Sequence, residues 1–411
     1  MKQVLVLTGR YLPNMSANGI CINNILQRLP ANEYYVTCIC YDDNETYQDD
    51  VVRIVRVSRG PLRSYLYKQE KNNTKTVKFL CKVFSLLLNM LSIPFLICWP
   101  WNDPVFTNRV FKTAVRLHKE TPFDYVIAIH NPISSLIVAN KMKKKYPEIK
   151  YIPYFLDSLS GGRPSSFLSS KSNLKKKLRW EACLLPNSDK IVVMESSRKH
   201  HEKYSSQMPY YKKFLYLDIP LLCGREEKNF VNPFPVTDEI RVLYTGVALQ
   251  PMRNMAYFVD FAKKVNAIDP RIVFYVIGQS NCANMFKHKC IRYLDSMPHE
   301  QLLPYLEYAD ILINLGVCVP SAISGKIFEY MSFGKPIIST YSIPNEACIT
   351  YLNRYPMSLL IEENDVCIEQ AARDTVAFIT RNLGNSVDIN DLKKIYKNNL
   401  PETFIEEVFE E

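Results

Sequence analysis

Apolar residues in this chain fall in short, nearly unbroken runs, separated by stretches in which they recur every three or four positions. Runs of the first kind, rich in Val, Ile and Tyr, predict strands covered on both faces, and the intervening period is that of helices with one buried stripe. In the first half the runs are QVLVLTG (3–9), YYVTCICY (34–41), VVRIVRVS (51–58), DYVIAIH (124–130), KYIPYFLD (150–157) and KIVVME (190–195). In the second they are RVLYTG (241–246), IVFYVIG (272–278), CIRYLDS (290–296), DILINLG (310–316) and PIISTY (336–341). Strand and helix thus alternate twice over, which predicts an α/β chain with two Rossmann-like, doubly wound domains. The stretch LCGREEKNFVNPFPVTDE (222–239) interrupts every periodicity. The expected division is a first domain over 1–218, a linker over 219–239, a second domain over 240–397, and a tail over 398–411 able to pack back on the first. A ligand shared by two such sheets is expected in a cleft beyond the carboxyl ends of their strands.

Composition and length agree with this division. A chain of 411 residues exceeds what one hydrophobic core usually serves, and 47% hydrophobic with 22% charged residues is the balance of a folded protein. The opening MKQVLVLTGRY has too short an apolar run for a secretory signal and no small-residue cleavage site, so a cytoplasmic protein is expected. The twelve cysteines include no C-x-x-C pair; Cys38, Cys40, Cys98, Cys183, Cys290 and Cys318 sit in apolar runs and read as buried, reduced thiols rather than disulfides or zinc ligands.

Charge is divided unevenly. Residues 1–218 hold 33 Lys and Arg against 17 Asp and Glu, whereas the remainder holds 18 against 24. That asymmetry argues against nucleic acid as a partner and for a first domain that faces an anionic surface, with membrane lipid the first candidate. Residues 77–101, VKFLCKVFSLLLNMLSIPFLICWPW, are apolar but carry Asn89 and Pro94, which disfavour a membrane-spanning helix. Two readings stand: a hairpin in the membrane interface, anchored by lysines before it and by Trp99 and Trp101 after it, or a buried helix of the first domain. The basic clusters KMKKKY (141–146) and KSNLKKKLR (171–179) suit either lipid or a solvated helix face.

Several residues could carry chemistry. In PSAISGKIFEYMSFGKPIIST (320–340), Ser324 and Gly325 are placed to start a helix, Lys326 lies in its first turn, Glu329 follows on the same face, and Gly334 ends it. Exposed N–H groups at such a start favour phosphate, and the carboxylate can accept the two hydroxyls of a ribose; the alternative is a structural Lys–Glu pair. In YTGVALQPMRNMAYF (244–258), Gly246 permits close backbone approach, and Arg253 offers a cation for a departing diphosphate. Gly19 opens a helix after the first strand, but no G-x-G-x-x-G accompanies it, which speaks against a dinucleotide cofactor. His130 and Asp157 end two strands of the first domain, where an acceptor group or general base would stand. No Asp-x-Asp pair is present to hold a divalent ion, and no cofactor or metal is expected.

The segment KIFEYMSFGKPII (326–338) resembles the glycosyltransferase family 4 type of GT-B enzyme. The resemblance implies two facing Rossmann-like domains, a nucleotide-sugar donor as substrate, retention of anomeric configuration, and no metal. It assigns Glu329 to the nucleotide ribose; Ser324, Gly325, Lys326, Gly246 and Arg253 to the diphosphate; and the main chain around Met297 and His299 to the base edge. It also brings the Gly19 loop to the donor phosphates and His130 near the sugar hydroxyls. Two positions depart from the family pattern: Ser321 stands where a glutamate usually meets the donor sugar, and Val247 where a basic residue usually follows the glycine. The implied partners are the donor and a glycan, free or linked to a polyprenyl diphosphate, built for a surface polysaccharide at the inner face of the plasma membrane. Rival readings are a sugar-nucleotide epimerase or hydrolase, and a catalytically silent binding subunit.

Overall fold

The computed structural model describes the chain except residues 14, 42–48, 61–76, 78–82, 85–98, 102, 163–168, 225–228, 319–322 and 411. It forms two compact units, Met1–Pro220 with Pro401–Glu411, and Leu221–Leu400.

The first unit is built on seven strands: β1 (Lys2–Leu7), β2 (Tyr34–Tyr41), β3 (Val52–Val57), β4 (Tyr125–Ile129), β5 (Lys150–Phe155), β6 (Ile191–Met194) and β7 (Phe214–Leu217). All pair in parallel, in the order β3-β2-β1-β4-β5-β6-β7, with Val4 opposite Val36 on one side and Tyr125 on the other. Successive side chains point to opposite faces. Val4 and Val6 therefore join Ile22 and Ile25 of helix α1 (Ala17–Leu26), while Leu5 and Leu7 join Val110 of α2 (Pro104–Glu120) and Leu136 of α3 (Ile133–Lys145). Helix starts are set by local chemistry: Ser16 caps α1 by accepting from the Gly19 N–H, and Asp103 caps α2 with Pro104 in its first turn. Two further helices follow, α4 (Ser170–Leu184) and α5 (Arg198–Tyr204).

The second unit holds β8 (Ile240–Thr245), β9 (Ile272–Ile277), β10 (Ile291–Leu294), β11 (Ile311–Asn314), β12 (Ile337–Tyr341) and β13 (Ser358–Glu362), parallel in the order β10-β9-β8-β11-β12-β13. Its helices are α6 (Met255–Ile268), α7 (His299–Tyr308), α8 (Lys326–Ser332), α9 (Ala347–Leu352), α10 (Ile368–Asn382) and α11 (Ile389–Ile395). A last helix, α12 (Pro401–Phe409), belongs to the first unit, where Phe404 packs on Tyr154 and Phe409 on Tyr34 and Tyr125.

Some expectations change. Strands β7 and β13 escape the hydrophobic pattern because both are short edge strands, buried at only one position each. Leu222 and Cys223 do not act as linker: their N–H groups donate to Asn399 O (3.2 Å) and Ser332 Oγ (3.0 Å), tying them into the second unit. Of the cysteines expected to be buried, Cys38, Cys40 and Cys290 are, but Cys183 and Cys318 are exposed, one on a helix flank and the other on a loop beyond β11; Cys98 lies outside the described residues.

Most of 77–101 also lies outside the described residues. The tryptophans at its end make contacts within the first unit. Trp101 donates to Thr107 Oγ1 (2.9 Å) and meets Trp180 edge-on, and the Trp99 carbonyl accepts from Trp180 Nε1 (3.0 Å). Among the described residues no helix is long and apolar enough to cross a membrane.

Candidate functional site

In each sheet the strand order reverses direction at one place, between β1 and β4 in the first unit and between β8 and β11 in the second. Crevices in open α/β sheets lie beyond the carboxyl ends of the strands at such points. In the second unit β8 runs into Gly246, whose φ of 137° is open to glycine. A Cβ there would meet Lys326 Cε at 2.7 Å, so the Lys326 stem lies across bare backbone. Gly278, just past β9, crosses at the same spot: a Cβ on it would sit 2.0 Å from the Gly246 carbonyl oxygen.

Helix α8 is held over that backbone by Tyr330, one turn beyond Lys326. The buried Tyr330 hydroxyl accepts from the Thr245 N–H (2.9 Å) and pairs with Thr245 Oγ1 (3.1 Å) at the end of β8. The helix is shorter than its sequence suggests. It begins at Lys326 with Gly325 as its cap, and no side chain caps it. Ser324 lies before it, buried, with its N–H donating to Cys348 Sγ (3.3 Å).

Lys326 and Glu329 share a helix face, with Nζ 3.7 Å from Glu329 Oε2. The other carboxylate oxygen is 2.5 Å from His299 Nε2 at the start of α7. A carboxylate only accepts, so Nε2 carries the hydrogen. Burial by itself would raise the Glu329 carboxyl, but Lys326 and His299 outweigh it and hold it below the usual carboxylate range. The result is a fixed anion between two donors, with lone pairs left for a diol. The sequence expectation gave His299 a main-chain role; the structure joins its ring to Glu329 instead. Met297 sits half-buried in the loop leading to α7. Arg253 is 8% exposed; its Nε donates to Val247 O (3.1 Å), its guanidinium lies over the Tyr244 ring, and its Nη1 has no partner.

In the first unit, His130 follows β4. Its Nδ1 lies 2.8 Å from the Asp157 carbonyl, an acceptor, so Nδ1 carries the hydrogen and Nε2 is left to accept. Burial pushes the imidazole down to about 4, so the ring is neutral at pH 7. Asp157 contributes its backbone to this pair, and its side chain is exposed. Gly19 is different from expectation: its N–H already donates to Ser16 Oγ (3.2 Å), and a Cβ would lie 2.6 Å from the Arg10 carbonyl, so packing explains this glycine. Ser321 lies outside the described residues.

Two glutamates near the ends of β11 to β13, one buried and one half-buried, leave little mark in the sequence pattern. Glu346 is 2% exposed, its carboxyl faces the Val317 N–H and the Cys348 thiol, and burial pushes it up to about 7. Glu363 accepts from Thr340 Oγ1 (2.7 Å) and lies beside Asn254; burial raises it too. The one available signal was two glutamates just past predicted or near-apolar strand ends.

Residues 239–378, which include all six strands of the second unit, match the family described as glycosyl transferases group 1. Among curated proteins none matches the chain significantly by sequence. Solved structures share the architecture over its length. WaaG, a glycosyltransferase involved in lipopolysaccharide biosynthesis, aligns with a TM-score of 0.57 at 12% identity, covering 100% of each chain. Anabaena Alr3699/HepE in complex with UDP and glucose aligns at 0.53 and 11%, covering 97% of this chain and 100% of the other. A UDP-N-acetylglucosamine 2-epimerase aligns at 0.53 and 9%, covering 96% and 94%.

Proposed function

We propose that this chain, a glycosyltransferase of GT-B fold whose second unit carries the group 1 domain, takes its sugar from a nucleotide-sugar donor bound at the β8 end of that unit. The observation that carries the reading is the His299–Glu329–Lys326 array set over Gly246. Glu329, kept ionised by its two neighbours, accepts the ribose hydroxyls, and the Met297–His299 turn borders the base. The bare backbone at Gly246 lets the diphosphate approach, and Lys326 meets its charge. As the bond from the sugar's anomeric carbon to the diphosphate breaks through an oxocarbenium-like transition state, negative charge grows on the leaving oxygen, where a fixed cation lowers the barrier most. Lys326 fills that role in this reading without a metal ion.

In the first unit, neutral His130 offers an acceptor nitrogen to a sugar hydroxyl. The reading extends to transfer with retention onto a glycan, free or carried on a polyprenyl diphosphate, at the cytoplasmic face of the plasma membrane, where the basic excess of residues 1–218 favours anionic lipid.

The test is calorimetric binding of UDP, GDP and their sugars to the protein and to Glu329→Ala. Loss of a charged hydrogen bond costs about 1.5–3 kcal/mol, so the variant should bind its best nucleotide roughly 10- to 100-fold more weakly. Unchanged affinity would sink the assignment. Conversion of a donor into another sugar nucleotide without acceptor would instead mark an epimerase, whose fold this chain shares.

A further inference from the structure

The chain leaves β5 through a loop, residues 157–162, that is neither helix nor strand. The first carbonyl of this loop, Asp157 O, is the acceptor 2.8 Å from His130 Nδ1. Two helices of the first unit hold the rest of it. From α4, Glu181 accepts the Ser160 N–H (2.9 Å) and Lys177 Nζ donates to the Gly162 carbonyl (2.9 Å). From α5, His200 Nε2 pairs with Ser160 Oγ (2.8 Å), and His201 Nε2 lies 3.4 Å from Ser158 Oγ. Within the loop, Ser158 Oγ accepts the Gly161 N–H (2.9 Å), and Leu159 enters the core. A Cβ on Gly162 would sit 2.8 Å from the Ser158 carbonyl, so the turn closes on itself and needs glycine there. Every residue of the loop is thus fixed by a contact of its own.

We propose that Lys177 and Glu181 are positioning residues for His130: by fixing the loop they keep the Asp157 carbonyl against Nδ1, which sets the tautomer and leaves Nε2 to accept a hydroxyl hydrogen. The proposal rests on the role given to His130 above. A neutral imidazole carries one hydrogen for two nitrogens, and the partner of one nitrogen decides where it sits. If the 157–158 peptide turned away, the hydrogen could move to Nε2, which would then donate where it now accepts. The anchors are costly ones. Lys177 is 5% exposed and Glu181 1% exposed. Taking such groups from water is expensive unless they are paired and hydrogen-bonded, and apolar residues of similar volume would serve packing as well or better. They stand one turn apart on α4 and both spend their hydrogen bonds on the loop. Lys177 has a second effect, because its ammonium charge opposes a proton on His130, while the Asp157 charge favours one. His200 supports the same arrangement through the Ser160 hydroxyl.

The chain has six histidines, few enough for NMR of isotope-labelled ring nitrogens in the intact protein to resolve each ring, with His130→Asn identifying the signals of this one. At pH 7 the unaltered protein should show Nδ1 protonated and Nε2 bare. In Lys177→Met and in Glu181→Ala the two nitrogen shifts should move toward each other as the ring samples both tautomers. Glu181→Gln, which keeps an oxygen for the Ser160 N–H, should retain the unaltered spectrum, because the hydrogen bond and not the charge holds the loop. Should Glu181→Ala fail to fold, Lys177→Met, which keeps an unbranched apolar stem, decides alone. A His130 spectrum that these losses leave unchanged would show that the anchors only stabilise the unit, and a protonated Nε2 in the unaltered protein would remove the premise; either result overturns the proposal. No ligand enters this measurement, so its failure is distinct from failure of the nucleotide-binding test of the donor reading.

Discussion

A methyl group on Gly246 would press on the Lys326 stem in a backbone conformation that side-chain-bearing residues rarely adopt. Gly246→Ala should therefore cost about 1–3 kcal/mol of stability, measured by denaturant unfolding, and should weaken nucleotide binding because Lys326 must swing away. A variant as stable as the original and binding as well would show that the stem does not need bare backbone beneath it. Gly246, Lys326 and Glu329 were legible as single residues because their spacing carries a local reason: a glycine at a strand end, and two charges on one helix face. Glu346 was not legible. In SIPNEAC (342–348) a glutamate follows a turn with no period around it, and the tertiary approach of Gly316 and Val317 helps bury it.

Among elements, α8 shows how a segment too short to be stable alone is fixed by its neighbours. Isolated helices below about 12 residues are marginal in water. This one spans Lys326–Ser332 and is anchored by the Tyr330 hydroxyl on Thr245 and by Ser332 Oγ, which accepts from the Cys223 N–H. Tyr330→Phe leaves the Thr245 N–H buried without a partner and should destabilise the second unit by about 1–3 kcal/mol. Thermal unfolding checks this; an unshifted midpoint would mean that packing alone holds the helix. The central strands were legible for the opposite reason, since burial on both faces makes them continuously apolar. FLYL (214–217) and SLLIE (358–362) border each sheet, half-covered, and resemble loop sequence. The predicted strands also ran one or two residues too far, as at 310–316 against Ile311–Asn314, because Leu315 stays buried in the core past the end of the strand.

For the molecule as a whole, buried ionisable groups of opposite type work against each other. In the first unit, burial pushes His130 and His201 down to about 4 and Glu181 up to about 7. Below its unfolded value near 6.5 each histidine takes up a proton only on unfolding, so its contribution to stability is lost as pH falls toward 4. The raised glutamate stabilises below its unfolded value near 4.5 and loses that contribution as pH rises toward 7. For His201, 2% exposed, and Glu181, 1% exposed, each effect is on the order of 3 kcal/mol, so these two nearly cancel between pH 4.5 and 6.5 and His130 is left to give the unit a rising slope. Glu181→Gln should remove one side of the balance and make stability climb more steeply over that range. Denaturant unfolding at pH 4.5, 5.5 and 6.5 reads the slope, and equal slopes in both proteins would contradict the balance.

The path of the chain has a consequence for how the protein is made. The last helix, Pro401–Phe409, completes a core begun four hundred residues earlier, after the chain has passed through the whole second unit. During synthesis Tyr34, Tyr125 and Tyr154 stay uncovered until Phe404 and Phe409 leave the ribosome. The unit that starts first therefore finishes last, and the second unit can fold as a complete body while the first still waits for its closing helix.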